Sequence, residues 1–136
     1  MADIGTVVEG YIAMWNETRD AERRSIIAAT WTDDGTYLDP LMAGDGPAGI
    51  DAMVAGAQQQ FPGARFELTA GPDHHHDRVR FAWRMTGGEG GAELARGVDF
   101  ATVGDDGRLR SVTGFLEPGA VVAAPCAGRL RWGRGW

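Results

Sequence analysis

The sequence predicts an α+β domain in which about three helices pack on one face of a mostly antiparallel sheet. Apolar residues recur at helical spacing up to position 61, and from position 65 they alternate as in strands. Phe61-Pro62-Gly63 separates the two regimes. The 136 residues, 43% hydrophobic and 24% charged, suit one domain with a single core.

Each element has its own signal. Between positions 4 and 17, Val7, Val8, Tyr11, Ile12 and Trp15 form an apolar helical face. Asp20 reads as the cap of a second helix that runs to about Trp31, with Glu22 and Arg23 in its first turn and Ile26, Ile27, Thr30 and Trp31 inward. Asp33-Asp34-Gly35 reads as the turn that ends it. In the strand GTYLDP, the period of two puts Tyr37 and Asp39 on one face and Thr36 and Leu38 on the other. Gly44 to Gly49 reads as a loop, and Ile50, Met53, Val54, Ala57 and Phe61 as a third helical stripe. Strands follow at 65–69, 79–85, 93–103 and 108–117, joined by the Gly-rich stretch 87–91 and the turn Gly104-Asp105-Asp106-Gly107. The domain thus spans 1–118. The tail 119–136, rich in Gly, Ala, Arg and Trp, reads as a poorly ordered extension, or else as an arm that docks on a partner or on the acidic body.

Charge excludes several classes of function. The net charge is -6, and without Arg129, Arg131 and Arg134 of the tail the chain has 10 basic residues against 19 acidic, a net of -9. Such a body repels nucleic acid and anionic membranes, so neither is an expected partner. No apolar run is long enough to span a bilayer, and the start lacks the basic and cleavage regions of a secretory signal, which predicts a cytoplasmic protein. Cys126 stands alone, the chain has no lysine for a phosphate-binding loop, and no G-x-S-x-G elbow occurs. No cofactor is expected. Adjacent side chains in Asp73-His74-His75-His76-Asp77 cannot all converge on one ion, so this stretch reads as a polar hairpin turn and no metal is expected.

YIAMW on the first helix, WTDDGTYLDP into the first strand, GIDAM on the third helix and GVDFATVGDDGRLRSVTGF in the last hairpin resemble the nuclear transport factor two-like superfamily, SnoaL-like and ketosteroid-isomerase-like branch. The resemblance covers residues 4–118 and implies a cone-shaped α+β barrel around a small-molecule cavity. It also implies a homodimer formed through the outer sheet face. In that branch's isomerases a first-helix Tyr, an Asp before Pro at the end of the first strand, and an Asp eight residues before the last hairpin's Gly carry catalysis. The matching positions are Tyr11, Asp39 and Asp99. The same resemblance makes Trp15, Trp31, Tyr37, Met53, Phe61, Phe81, Trp83, Val112 and Leu116 the ligand-binding wall. A supporting tyrosine of those enzymes falls at Val54 here, and their aromatic residue at the end of the second helix is Trp31 instead of Tyr.

The expected ligand is an apolar or polycyclic small molecule, and the expected chemistry is isomerisation or cyclisation of a carbonyl compound. Asp39 would move the proton, while Tyr11 and a protonated Asp99 stabilise the oxygen. Bland roles stand beside these: Asp39 accepting backbone N–H groups in the loop after it, Asp99 facing solvent, and Tyr11 and Trp15 as core aromatics. A non-catalytic binding or dimerisation domain uses the same cavity. Epoxide hydrolysis ranks last, because it needs an inward arginine beside Asp99 and Arg84 and Arg96 have the wrong parity.

Overall fold

The carboxylate of Asp3 accepts the Thr6 N–H at 3.3 Å and starts helix α1 (Ile4–Asn16), whose buried face is Val7, Val8, Tyr11, Met14 and Trp15. The computed structural model describes residues 3–88 and 91–117; the expected tail lies outside the described residues. Helix α2 (Asp20–Thr30) follows, then strands β1 (Trp31–Leu38) and β2 (Ala43–Asp45), helix α3 (Gly46–Gln60), and strands β3 (Arg65–His75), β4 (Arg78–Thr86), β5 (Glu93–Val103) and β6 (Leu109–Leu116). The six strands form one sheet in the order β2-β1-β6-β5-β4-β3. Only the β1–β6 pairing is parallel among the described strands. The three helices cover one face of this curved sheet.

Three local readings need correction. Asp33-Asp34-Gly35 lies within β1, where the register on β6 jumps from Trp31↔Leu109 to Thr36↔Ser111. The extra β1 residues form an irregularity in the strand instead of a turn after the helix. Gly44 is paired with Tyr37 in the short strand β2, and α3 already begins at Gly46, so 44–49 is no loop. On the β3 side, Asp73, His74 and His75 pair with Arg80, Val79 and Arg78, which confines the turn to His76 and Asp77. Outward Arg84 and Arg80 pair with Glu67 and Asp73 across those strands.

Arg23, read from sequence only as a first-turn residue, is 2% exposed. Its guanidinium donates to Asp51 and Asp20 at 2.7 Å each, and to the Glu17 carbonyl and Gln58 Oε1 at 3.2 Å each. Gln58 in turn donates to the carbonyls of Trp15 and Glu17 at the end of α1. All three helices therefore meet on one hydrogen-bonded cation, which fixes the end of α1 that carries Trp15. The opposite, outer sheet face leaves Leu38, Phe100 and Phe115 exposed, with Phe100 and Phe115 packed edge to face at 5.8 Å. Among the described residues no helix is long and apolar enough to cross a membrane.

Removing one partner of a buried ionic network costs more than the network's net worth, because the others stay behind uncompensated. Arg23→Met is expected to lose about 3 kcal/mol of stability. Urea unfolding measures this, and a loss under about 0.5 kcal/mol, ordinary for a surface site, would contradict the assigned role.

Candidate active site

Two inward positions of adjacent strands set the site's floor. Asp99 on β5 faces Gly114 on β6, its cross-strand partner. A methyl group at Gly114 would lie 2.9 Å from Asp99 Oδ1, 3.2 Å from Asp39 Cβ and 3.3 Å from the Tyr37 hydroxyl. Asp99 Oδ1 and Asp39 Cβ are thus no further apart than the sum of their two distances, about 6 Å. The missing side chain at Gly114 is what lets the two acidic residues and Tyr37 converge.

The chain's two tyrosines each serve one carboxylate. Tyr11 of α1 donates to Asp99 Oδ2 at 2.6 Å, and Tyr37 of β1 donates to Asp39 Oδ2 at 2.5 Å. Both lengths are typical of a hydroxyl donating to a charged oxygen. Asp99 Oδ1 accepts the Trp83 indole N–H at 3.0 Å. That reach depends on Gly97, which is paired with Trp83 across the strands and whose added methyl would lie 2.7 Å from the indole Cζ2. Asp39 Oδ1 accepts the backbone N–H groups of Leu41 and Met42 at 2.7 and 2.9 Å. Asp39 therefore combines both of its sequence readings: it closes the loop after Pro40 and also lines the cavity.

Burial separates the two acids. Asp99 is 1% exposed, and its pKa is pushed up from 3.8 to about 6. Desolvation is the main cause; the Tyr11 and Trp83 donors pull the value back down, and the Asp39 charge adds a further rise. Burial first, then the neighbouring carboxylates, lift the Tyr11 and Tyr37 hydroxyls well above their usual range, so both remain protonated donors at neutral pH.

Above this floor the walls are apolar. Ile12 and Trp15 come from α1, Ala57 from α3, Phe61, Leu41 and Met42 from connecting segments, and Phe66, Trp83, Met85, Ala95 and Leu116 from the sheet. The volume open to the centre of a water-sized sphere is about 60 Å³. One water needs about 10 to 15 Å³ by that measure, so the cavity, partly open to solvent, has room for a compact group.

The structure brings Tyr11, Trp15, Tyr37, Asp39, Phe61, Trp83, Asp99 and Leu116 together around this space. Trp31, Met53, Phe81 and Val112 do not line it, and belong instead to the buried core. Phe81 and Val112 have the inward parity but sit deeper, where Phe81 packs on Tyr11 at 5.2 Å. Trp31 is wholly buried, 6.2 Å from the Tyr11 ring, with its N–H on Met14 Sδ. Phe66, Met85 and Ala95 were missed as wall residues although strand alternation marks the last two. Leu41 and Met42 follow Pro40 in a segment with no periodicity to mark them. No group of three or more potential metal ligands occurs among the described residues.

Known proteins supply context for this geometry. The family model for the SnoaL-like domain matches residues 8–112. A candidate isomerase of the SnoaL-like family from Agrobacterium tumefaciens is 40% identical, with 82% of this chain and 95% of that one covered and a TM-score of 0.78. A candidate SnoaL-like polyketide cyclase from Jannaschia is 20% identical over 92% of this chain and 98% of that one, TM-score 0.65. A protein with a ketosteroid isomerase-like fold from Catenulispora acidiphila, solved in complex with trimethylamine, is 15% identical over 96% of this chain and 95% of that one, TM-score 0.69. No curated protein matches the chain.

The Asp99 shift carries a stability consequence whose sign is fixed. The folded chain holds the Asp99 proton more tightly than the unfolded chain, so the contribution is fully present below about 3.8 and is lost as pH rises through about 6. The whole swing is about 3 kcal/mol. Asp99→Asn can accept from Trp83 and donate to the Tyr11 oxygen, and it does not titrate. It is expected to be more stable than the wild type at neutral pH, with the advantage gone near pH 4. Urea unfolding across that range tests this, and a variant less stable at neutral pH would contradict it.

Proposed function

The chain belongs to the SnoaL-like family, and from that premise we propose that it is an acid-base enzyme acting on a compact, apolar carbonyl compound. One observation carries the reading: two carboxylates in different environments share the floor of an apolar cavity, each held by a tyrosine. Pairs of acids whose surroundings differ in this way divide the roles of proton acceptor and proton donor.

Asp39 is the base. Among the described residues three donors fix its carboxylate, fewer than its roughly four acceptor positions, and the residue lines the cavity. It takes a proton from the carbon beside the carbonyl, and the electron pair of that C–H bond moves through the enolate to the oxygen. The oxygen is met by the Tyr11 hydroxyl, with Asp99 behind it. A neutral carbonyl ligand replaces solvent in the cavity beside Asp99 and favours its protonated form further. Once protonated, Asp99 donates to the Tyr11 oxygen, and the Tyr11 O–H is freed to point at the substrate. Asp39 then returns the proton to another carbon of the conjugated system, which completes an isomerisation, or the enolate carbon attacks a second carbonyl, whose π pair moves to its oxygen and takes the Asp39 proton, which completes a cyclisation.

A second reading has its own support. Five donors already satisfy the two carboxylates, so the site is stable as a binding pocket without chemistry. The exposed Phe100 and Phe115 on the outer sheet face support a homodimer in either reading. Epoxide opening has the least support, since Arg84 and Arg96 face outward and pair with Glu67 and Glu93.

Ultraviolet-monitored isomerisation of a β,γ-unsaturated cyclic ketone, small enough for the cavity, tests the reading. Asp39→Asn is expected to lower kcat about a thousandfold. The wild-type kcat/KM, which reports on the free enzyme, should fall as pH rises through about 6, where Asp99 loses its proton. Ketone that binds but is turned over by neither protein would support the binding-domain reading instead.

A further inference from the structure

We propose that the same cavity also binds a compact organic cation, a tertiary or quaternary ammonium group, enclosed by aromatic rings and resting on the carboxylates of Asp39 and Asp99. This takes from the preceding reading only the location of the site and needs none of its chemistry. Two features carry it. Tyr11, Trp15, Tyr37, Phe61, Phe66 and Trp83 all line the space, and an aromatic ring attracts a cation to its face. No Arg or His is among the described lining residues, so the acids have hydrogen-bond donors but no counter-cation.

The walls select the kind of cation. A small metal ion keeps its water strongly, and beyond the two acids these apolar walls offer no ligand to replace it. An alkylated ammonium carries its charge under methyl groups, so it can shed water against aromatic and aliphatic side chains and still be attracted by the acids. The cavity has room for one such headgroup.

The cation and a neutral carbonyl compound ask opposite things of Asp99. The carbonyl needs its proton, and the cation needs its charge. The groups around Asp99 are Tyr11 from α1, Tyr37 from β1, Asp39 just beyond it, Trp83 from β4 and Gly114 from β6, and neither tyrosine changes charge near neutrality. Over that range pH therefore acts on the bound cation through the acids, with Asp99 changing charge at about 6. Between about pH 5 and about pH 7.5 the ionised fraction of such a group rises about tenfold, and the cation's apparent affinity rises with it.

Calorimetric titration tests this with choline and with its uncharged isostere, in which a tert-butyl group replaces trimethylammonium. The expected result is that choline binds about tenfold more tightly at the higher pH than at the lower, that the isostere shows no such rise, and that Asp99→Asn removes choline's dependence. Phe66→Leu, at a partly exposed wall position, should weaken choline several-fold more than the isostere. Equal binding of choline and isostere at the higher pH would overturn the proposal, as would a choline affinity indifferent to pH in the wild type. Neither outcome bears on ketone turnover, and a failure of ketone turnover does not bear on choline.

Discussion

The burial of one carboxyl group organises this molecule. Asp99 is held on an inner strand under three helices, away from water, and an acid in that position must be compensated or protonated. Tyr11 from the first helix and Trp83 from the neighbouring strand compensate it in part. Two glycines make room: Gly97 for the indole that reaches it, and Gly114 for the carboxylate itself. Compensation is incomplete, and the group is left poised between its charged and neutral forms near pH 6.

Asp39 shows the contrast. It sits at the end of β1, where the chain turns at Pro40, and takes two backbone N–H groups from that turn along with the Tyr37 hydroxyl. One acid is thus held by a loop and the other by helix and sheet, a few ångströms apart. The support reaches further than the cavity. Arg23 ties α1, α2 and α3 together at the end of α1, so the placement of Trp15 rests on a buried ion network outside the cavity lining.

Much of this was legible in the sequence where the physics is periodic. The helical stripes of α1 and α3 and the alternation of β4 to β6 have one apolar face each, so their inward residues could be named, Asp99 among them. Asp39 stood out because a carboxylate is costly on a strand face beside a tyrosine. Periodicity fails where local chemistry takes over. The irregular pairing inside β1 made Asp33-Asp34-Gly35 look like a turn, and the three residues of β2 are too few to show alternation. Strand parity also gives direction but not depth, which is why Phe81 and Val112 were read as cavity wall when they lie in the core beneath it. Arg23 carried no sign of burial, because its partners Asp51 and Gln58 lie on another helix.

Burial inside the cavity holds Asp99 near neutrality, and the chemistry depends on this. The Asp99 carboxyl carbon can be followed by nuclear magnetic resonance through a pH titration, with the signal identified by its absence in Asp99→Asn. The account predicts a midpoint at about 6 in the free protein, moving upward when a neutral ketone fills the cavity. A midpoint near 4 that does not respond to the ketone would mean that Asp99 is solvated and ordinary, and would contradict the account.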